Sequence, residues 1–189
     1  MKKSLILISV LLLLLSPVAC DSPDSSSGKS IKNLPPYDST LFTDDKLTGV
    51  TYNMPILLDW TLSSVMFVPA AVAPDGVSNI IIMADDIDPG ADEEVFVEVL
   101  INSLRAVRNY NIDSKSERNI GGVQGSVHKM STVSFGVTLE QTLYIAIYND
   151  VVHVITYTYS SPENDPFAQL TKVSNALDVE KMVDAFRFR

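Results

Sequence analysis

The stretch from Thr142 to Tyr159, TLYIAIYNDVVHVITYTY, constrains the fold of this chain more than any other. Its two halves are rich in Ile, Val, Thr and Tyr, a composition typical of β-strands. Asn149 and Asp150 separate the halves, and both residue types tolerate the positive φ angles of a two-residue hairpin turn. The sequence therefore predicts a β-hairpin.

A two-residue turn fixes the register of such a hairpin. The predicted pairs are Tyr148 with Val151, Ile147 with Val152, Ala146 with His153, and Ile145 with Val154. Both faces are then largely apolar, whereas a hairpin with one face in water would alternate with polar residues. We therefore expect this hairpin at the centre of a sheet that is covered on both sides.

The N-terminus has the pattern of a lipoprotein signal peptide over residues 1–19. Lys2 and Lys3 precede an apolar run from Leu5 to Leu15, which is too short to span a bilayer comfortably. Ala19 and Cys20 follow, and this pair resembles a bacterial lipobox, in which the cysteine thiol is lipidated. Cys20 is the only cysteine of the chain, so it has no intramolecular disulfide partner. The alternative is a cleaved signal peptide with an incidental cysteine.

Residues 20–40 are interpreted as the lipidated Cys20 and a flexible tether. The segment from Asp21 to Pro36 is rich in Ser and Pro and has too few apolar residues to form a core. Its root-mean-square reach is roughly 20 Å. Residues 41–189 then form a single folded domain.

The charge of the chain restricts its partners. The formal net charge is −9, and removing Lys2 and Lys3 with the signal peptide leaves 12 basic and 23 acidic residues, or −11. Such an excess excludes nucleic acid and electrostatic docking on anionic lipid. Attachment to the membrane would therefore depend on acyl chains, which predicts a lipid-anchored protein on the extracytoplasmic face of the cell membrane.

Two helices are predicted within the domain. The first extends from Asp92 to Arg108, and its apolar face is predicted to comprise Phe96, Val99, Leu100, Leu104 and Val107. Near the C-terminus, Asp165 is a candidate N-cap with Pro166 at the first helical position. The predicted buried side chains in this region are Phe167, Leu170, Val173, Val179, Met182, Val183 and Phe186.

The other segments of the domain have the composition of strands. Val50–Pro55 is predicted to stop at Pro55, and Ser64–Val68 to end before Pro69. Further strands are predicted at Ser78–Met83, Tyr110–Glu117 and Gln124–Val133, with a turn at Gly121-Gly122. The predicted fold class is α+β, an antiparallel sheet with helices on both faces.

The order of these parts resembles the Mog1/PsbP-like family. The residues that carry the resemblance are Tyr52, Met54-Pro55, Asp59-Trp60, Ser78-Asn79-Ile80, the helix Glu93 to Val107, Ile120-Gly121-Gly122, Val154-Ile155-Thr156-Tyr157 and Val183-Asp184-Ala185-Phe186. Ala185 stands where Ser is usual. The family includes small bacterial lipoproteins, a photosystem II extrinsic subunit and a nuclear-transport regulator. The resemblance implies an α/β/α sandwich and a binding or scaffolding role, although a fold alone does not transmit function.

The candidate catalytic residues are few. His128 and His153 both fall in predicted strands, and neither has a local nucleophile or orienting acid. The histidines do not have the spacing of zinc ligands. Gly121, Gly122 and Gly125 lack the spacing of a phosphate-binding loop and precede a strand, so we expect turn glycines. No cofactor is predicted, and the chain is not expected to be an enzyme.

Acidic residues crowd the segment from Ala84 to Glu94, ADDIDPGADEE. Asp85, Asp86 and Asp88 could supply oxygen ligands to calcium. The EF-hand pattern fails, however, because Gly90 replaces an oxygen ligand and Val97 stands where the bidentate Glu belongs. The simpler interpretation is a solvated loop whose acids favour a helix N-terminus.

Four tyrosines, Tyr144, Tyr148, Tyr157 and Tyr159, are predicted to share one face of the sheet, either as core under a helix or as a ligand platform. The expected function is that of a non-catalytic binding or scaffolding module for an envelope protein or a lipid. The alternatives are an exported enzyme with an unrecognised site and a weak calcium-binding accessory protein.

Overall fold

The computed structural model describes residues 37–65, 68–134, 137–162 and 168–189. The helices in these ranges are α1 (Glu93–Arg108) and α2 (Ala168–Asp184), with a short 3-10 helix at Ser39–Leu41. The strands are β1 (Phe42–Thr48), β2 (Tyr52–Leu57), β3 (Thr61–Val65), β4 (Val68–Val72), β5 (Asn79–Asp86), β6 (Asn111–Ile120), β7 (Val123–Ser134), β8 (Val137–Tyr148), β9 (Val151–Pro162) and β10 (Arg187–Phe188).

The described strands form two antiparallel sheets. The larger sheet has seven strands in the order β3–β4–β5–β9–β8–β7–β6, and the smaller has three in the order β1–β2–β10. Strands β6 to β9 follow one another as hairpins, whereas β5 reaches β9 through a long connection. The predicted α+β class is confirmed.

The hairpin of β8 and β9 lies near the centre of the larger sheet, as predicted. Tyr148 pairs with Val151 and Ile145 with Val154, so the predicted register is confirmed. Asn149 and Asp150 have φ angles of 51° and 58°, as a two-residue turn of this kind requires. β5 and β7 flank the pair, which leaves neither strand at an edge.

Each face of this hairpin supports its own hydrophobic core. Tyr144, Ile155 and Tyr157 are buried together with residues of α2 and the smaller sheet. Ile145 and Val154, on the opposite face, are buried against Leu100 and Ile101 of α1. The two helices therefore cover opposite faces of the larger sheet, which confirms the expected sandwich.

The start of α1 is as predicted, but its buried face is rotated. The Asp92 carboxylate accepts hydrogen bonds from the backbone N–H groups of Glu94 and Val95, and so caps the helix. Leu100 is buried, but Val99 is exposed and Ile101 is buried in its place. The prediction for Val99 was wrong because the 3.6-residue period allows two neighbouring apolar faces, and only the packing partner selects one.

The large apolar side chains of the second helix are buried only in its C-terminal half. Val179, Met182 and Val183 are fully buried, as is Phe186 just beyond the helix. Leu170 and Val173, predicted to be buried, are instead exposed, because the first turns of α2 turn these side chains away from the sheet. Asp165, Pro166 and Phe167 lie outside the described residues, as does the side chain of Val107.

Two prolines lie inside strands rather than at the ends predicted for them. Pro55 is in β2 and Pro69 is in β4. The predicted strand Ser64–Val68 was wrong, because β3 ends at Val65 and β4 begins at Val68 and pairs back onto it. β10 pairs only with Tyr52 and Asn53 of β2, and β5 pairs only with positions 70–72 of β4. Each proline therefore lies where the strand has a neighbour on one side only, so its missing N–H donor is tolerated.

Candidate functional site

The predicted site residues do not converge on one place. Cys20 lies outside the described residues. Asp85 and Asp86 end β5, and Asp88 follows in the loop before α1. Within the described residues, no three His, Cys, Asp or Glu side chains come together at distances that would hold a metal ion. The structure thus does not gather Asp85, Asp86 and Asp88 into a cation site.

His153 lies in the middle of an aromatic cluster. Its ring makes edge contacts with Tyr52, Phe186 and Phe188, at centroid distances of 6.1, 6.1 and 4.9 Å. Its Nε2 atom is 2.9 Å from the hydroxyl group of Thr51. These neighbours come from β2, from the residues after α2 and from β10, so the histidine joins the smaller sheet to the larger one.

The surroundings of His153 keep its ring neutral. Burial lowers its pKa to about 4, although backbone contacts with Val151 and Thr51 oppose the shift. Within the described residues, the ring of His153 has a hydroxyl group and not a carboxylate as its hydrogen-bond partner. A neutral, buried imidazole without an orienting acid fits a structural role better than acid–base catalysis.

His128 lies on the other face of the larger sheet, in β7. Its Nε2 atom is 3.0 Å from the Oγ atom of Ser126, so the structure does bring a histidine and a hydroxyl group together. Burial lowers the pKa of His128, and Lys115, its cross-strand neighbour, lowers it further. Ser126 and His128 are the residue types that supply the nucleophile and the base of a hydrolytic triad. The residue that pairs with His128 across the strands is the cation Lys115, whereas a triad would have an acid to orient the ring.

Gly121 and Gly122 form the two-residue turn between β6 and β7, as predicted. Their φ angles are 58° and 96°, a region that favours glycine. A Cβ atom on Gly121 would lie 2.7 Å from a ring carbon of Phe188, so the first glycine also makes room for the aromatic cluster. The glycine pair is thus accounted for by backbone conformation and close packing.

The four tyrosines pack on one face of the sheet, as predicted, beneath α2 and the smaller sheet. Tyr144 donates a hydrogen bond to Glu180, which also forms an ion pair with Arg118. The hydroxyl of Tyr157 is buried and lies near the carboxylate of Asp75. The tyrosine face is therefore core and not an open ligand platform.

Asp75, at the turn between β4 and β5, fixes the N-terminal half of α2. Its carboxylate accepts hydrogen bonds from the hydroxyl of Ser78 (2.6 Å) and the side-chain amide of Asn175 (2.8 Å). Burial by itself would raise the pKa of Asp75, but these hydrogen bonds and two from backbone N–H groups outweigh it and lower the pKa. A polar contact therefore holds the N-terminal half of α2 to the sheet, and the side chains on the opposite side of the helix can remain exposed to solvent.

Three large apolar side chains are exposed on that outer face of α2. Leu170, Val173 and Leu177 have exposed fractions of 72%, 58% and 59%, and their spacing places them along one side of the helix. We call these three residues the α2 stripe. Sequence reasoning assigned Leu170 and Val173 to the core. The sequence does contain a signal for the stripe. Val179, Met182 and Val183 form a second apolar series on a different face of α2, and both faces of one helix cannot pack against the same sheet.

The described part of the chain contains no helix that is both long enough and apolar enough to cross a bilayer.

No protein-family model matches the sequence, and no curated protein matches it significantly. Solved structures do match the fold. A cyanobacterial PsbP protein from Synechocystis aligns with a TM-score of 0.54 and 11% identity, over 77% of this chain and 92% of that protein. LpqN of Mycobacterium tuberculosis, described as involved in cell envelope biogenesis, aligns with a TM-score of 0.51 and 14% identity, over 72% and 82% of the two chains.

These alignments cover most of both partners, and they establish that the fold is PsbP-like. This confirms, at the level of the fold, the resemblance predicted from the order of the elements. Tyr52, Gly121 and Phe186, which were among the residues that suggested it, lie together in or beside the aromatic cluster.

Proposed function

We propose that this protein is a lipid-anchored, extracytoplasmic binding module that holds another protein of the cell envelope through the α2 stripe. The observation that carries the proposal is the exposure of Leu170, Val173 and Leu177 on one side of a helix in an acidic domain. Exposed apolar side chains in a contiguous group are typical of interaction sites, whereas single ones are not. The likeness to LpqN, which is described as an envelope protein, supports the setting.

A protein is favoured over a lipid as the partner of the stripe. Helices that lie in a membrane interface are usually rich in Lys and Arg on their polar face. The charged residues of α2 are instead mixed, two basic and three acidic. Lys172 pairs with Glu140 of β8, and Lys181 pairs with Asp178. A mixed rim around an apolar centre is the usual anatomy of a protein–protein interface.

The tether brings the stripe to its partner. If Cys20 carries acyl chains, the tether holds the start of the domain at a root-mean-square distance of roughly 20 Å from its anchor. Confinement at that distance raises the effective concentration of the domain for a membrane-bound partner, so a modest apolar stripe suffices for binding.

An exported hydrolase is the second candidate, and the 3.0 Å contact between Ser126 and His128 is the observation that favours it. A complementation test with two variants distinguishes the binding function from the hydrolase function. Ser126→Ala and His128→Gln should leave the function of a complemented deletion strain intact if the protein acts by binding. Loss of function with an unchanged melting curve and unchanged partner binding would instead make this pair catalytic.

Anchoring is tested by fractionation. Cys20→Ser should move the full-length protein from the membrane fraction to the soluble fraction after a carbonate wash. If the variant still sediments with membranes, the anchor lies elsewhere.

Binding through the stripe is tested by site-specific photo-crosslinking in intact cells. A photoreactive amino acid at Leu177 should give a discrete adduct with one heterologous membrane protein. The same amino acid at Val50, which is 93% exposed in the turn between β1 and β2, is the control and should give none. Equal labelling from both positions would refute the stripe as a docking surface.

A further inference from the structure

The two edges of the larger sheet differ sharply in charge. Strand β6 forms one edge, and its exposed residues include Asp113, Lys115 and Glu117. Charged side chains on an edge strand oppose pairing with another chain, and natural sheets use them for that purpose. The β6 edge is therefore protected.

Strand β3 forms the other edge and carries no such protection. Its sequence, Thr-Leu-Ser-Ser-Val, contains no charge, and the segment from Trp60 to Pro74 contains none either. All five residues of β3 pair with β4 on one side, and no strand in the described ranges pairs with the other side. The side chains from Thr61 to Ser64 are exposed. β3 thus presents unpaired backbone donors and acceptors to solvent.

Exposed leucines continue this edge. Leu62 lies on β3, and Leu58 lies in the turn just before it; both are exposed. The backbone N–H of Leu58 donates to the carbonyl oxygen of Leu41 (3.1 Å), which brings a third exposed leucine alongside. The β3 edge can thus offer backbone hydrogen bonds and the leucines beside it apolar contact, while Asp59, which is exposed between Leu58 and Trp60, places one charge next to the strand.

We propose that this edge is an interface between two copies of the chain, in which the β3 strands pair antiparallel about a two-fold axis at Ser63. Such an interface uses the same patch on both copies, so the patch must be self-complementary. Two copies of this acidic chain repel each other electrostatically. Strand β3 itself adds no charge to this repulsion, whereas a charged peptide would find no complementary side chain on the strand.

The geometry of the pairing supplies a direct test. Residues on the axis of an antiparallel pair face each other with Cα atoms about 4.5–5.5 Å apart. A disulfide bond spans this separation. Ser63→Cys in the full-length protein should therefore form a disulfide-linked homodimer in cells treated with a mild oxidant. The matched control is Ser116→Cys on β6, the protected edge, which should not.

Two further measurements make the outcome decisive. Wild type is oxidised in parallel, so that any dimer formed through Cys20 is subtracted. Adding Ser64→Lys to Ser63→Cys should reduce the dimer at least several-fold, since lysine on an edge strand opposes pairing. Equal dimer from Ser63→Cys and Ser116→Cys, no dimer from either, or an adduct of Ser63→Cys with a different protein would overturn the proposal. None of these readouts depends on the α2 stripe.

Discussion

The hydroxyl group of Tyr144 donates a 2.7 Å hydrogen bond to Oε1 of Glu180, and this contact ties α2 to the central hairpin. Burial raises the pKa of Tyr144 to about 12, so the hydroxyl remains protonated as a donor throughout the physiological range. Glu180 also pairs with Arg118, whose guanidinium lies 5.8 Å from the centre of the Tyr144 ring. One carboxylate thus joins the helix to both β6 and β8.

Removing this hydroxyl should destabilise the domain. Because a hydrogen bond to a charged group contributes about 1.5–3 kcal/mol, Tyr144→Phe should lower the free energy of unfolding by about that amount. Tyr148→Phe is the control, since Tyr148 stacks on Phe188 through its ring. Urea denaturation of both variants checks the prediction. Equal losses in the two would show that the Glu180 contact contributes nothing.

The central hairpin should be the least tolerant part of the sheet. Ile145 is 1% exposed, and truncation of a buried isoleucine to alanine costs about 2–5 kcal/mol. Val133→Ala, at an exposed position of β7, should change the free energy of unfolding by less than about 0.5 kcal/mol. A melting temperature unchanged by Ile145→Ala would contradict the two-core arrangement.

Gly121 should be harder to replace than another glycine of similar conformation. Gly121 and Gly76 have φ angles of 58° and 74°, but a Cβ atom at Gly76 would meet nothing within 4 Å. Gly76→Ala should therefore cost about 1–2 kcal/mol from backbone strain alone. Gly121→Ala adds the clash with Phe188 and should cost clearly more. Thermal unfolding of the pair measures the difference, and equal costs would mean that Phe188 moves aside freely.

The stability of the domain should depend on pH through His153. Its pKa of about 4 in the folded state lies below the ordinary value of 6.5, so the unfolded chain binds a proton first as the pH falls. The free energy of unfolding contributed by this group is thus constant well above pH 6.5 and falls by about 3 kcal/mol as the pH drops to 4. His153→Gln removes this dependence.

The measurement compares the two proteins. Urea midpoints at several pH values between 7.5 and 4 should give a steeper slope for wild type than for His153→Gln. The carboxylates and His128 titrate in both proteins, so their contributions cancel in the comparison. Parallel slopes would mean that His153 is protonated in the folded state as readily as in the unfolded chain.

Local sequence pattern was sufficient where one local feature determines the geometry. The two-residue turn at Asn149-Asp150 determines which residues of β8 and β9 pair, and the apolar character of both faces placed the hairpin at the centre. It was insufficient where the outcome depends on distant partners. Pro55 and Pro69 are tolerated because the pairing of β10 with β2 and of β5 with β4 stops before reaching them. The extent of such pairing cannot be predicted from the sequence around a proline.

The same limit applies to the candidate site. Apolar spacing in α2 predicts an amphipathic helix but does not say that Asp75 and Asn175 hold its first half by polar contacts, leaving Leu170 and Val173 outside. Likewise, the contacts of His153 with Thr51 and Phe188 join residues far apart in the chain. No local motif predicts such contacts.

The proposal that the α2 stripe is the working surface of the protein is tested most directly by complementation. A deletion strain would receive Val173→Asp or, as a matched control, Val50→Asp, each checked for an unchanged melting temperature. Val173→Asp should lose function at normal abundance in the membrane fraction, while Val50→Asp should complement fully. Full complementation by Val173→Asp would contradict the proposal.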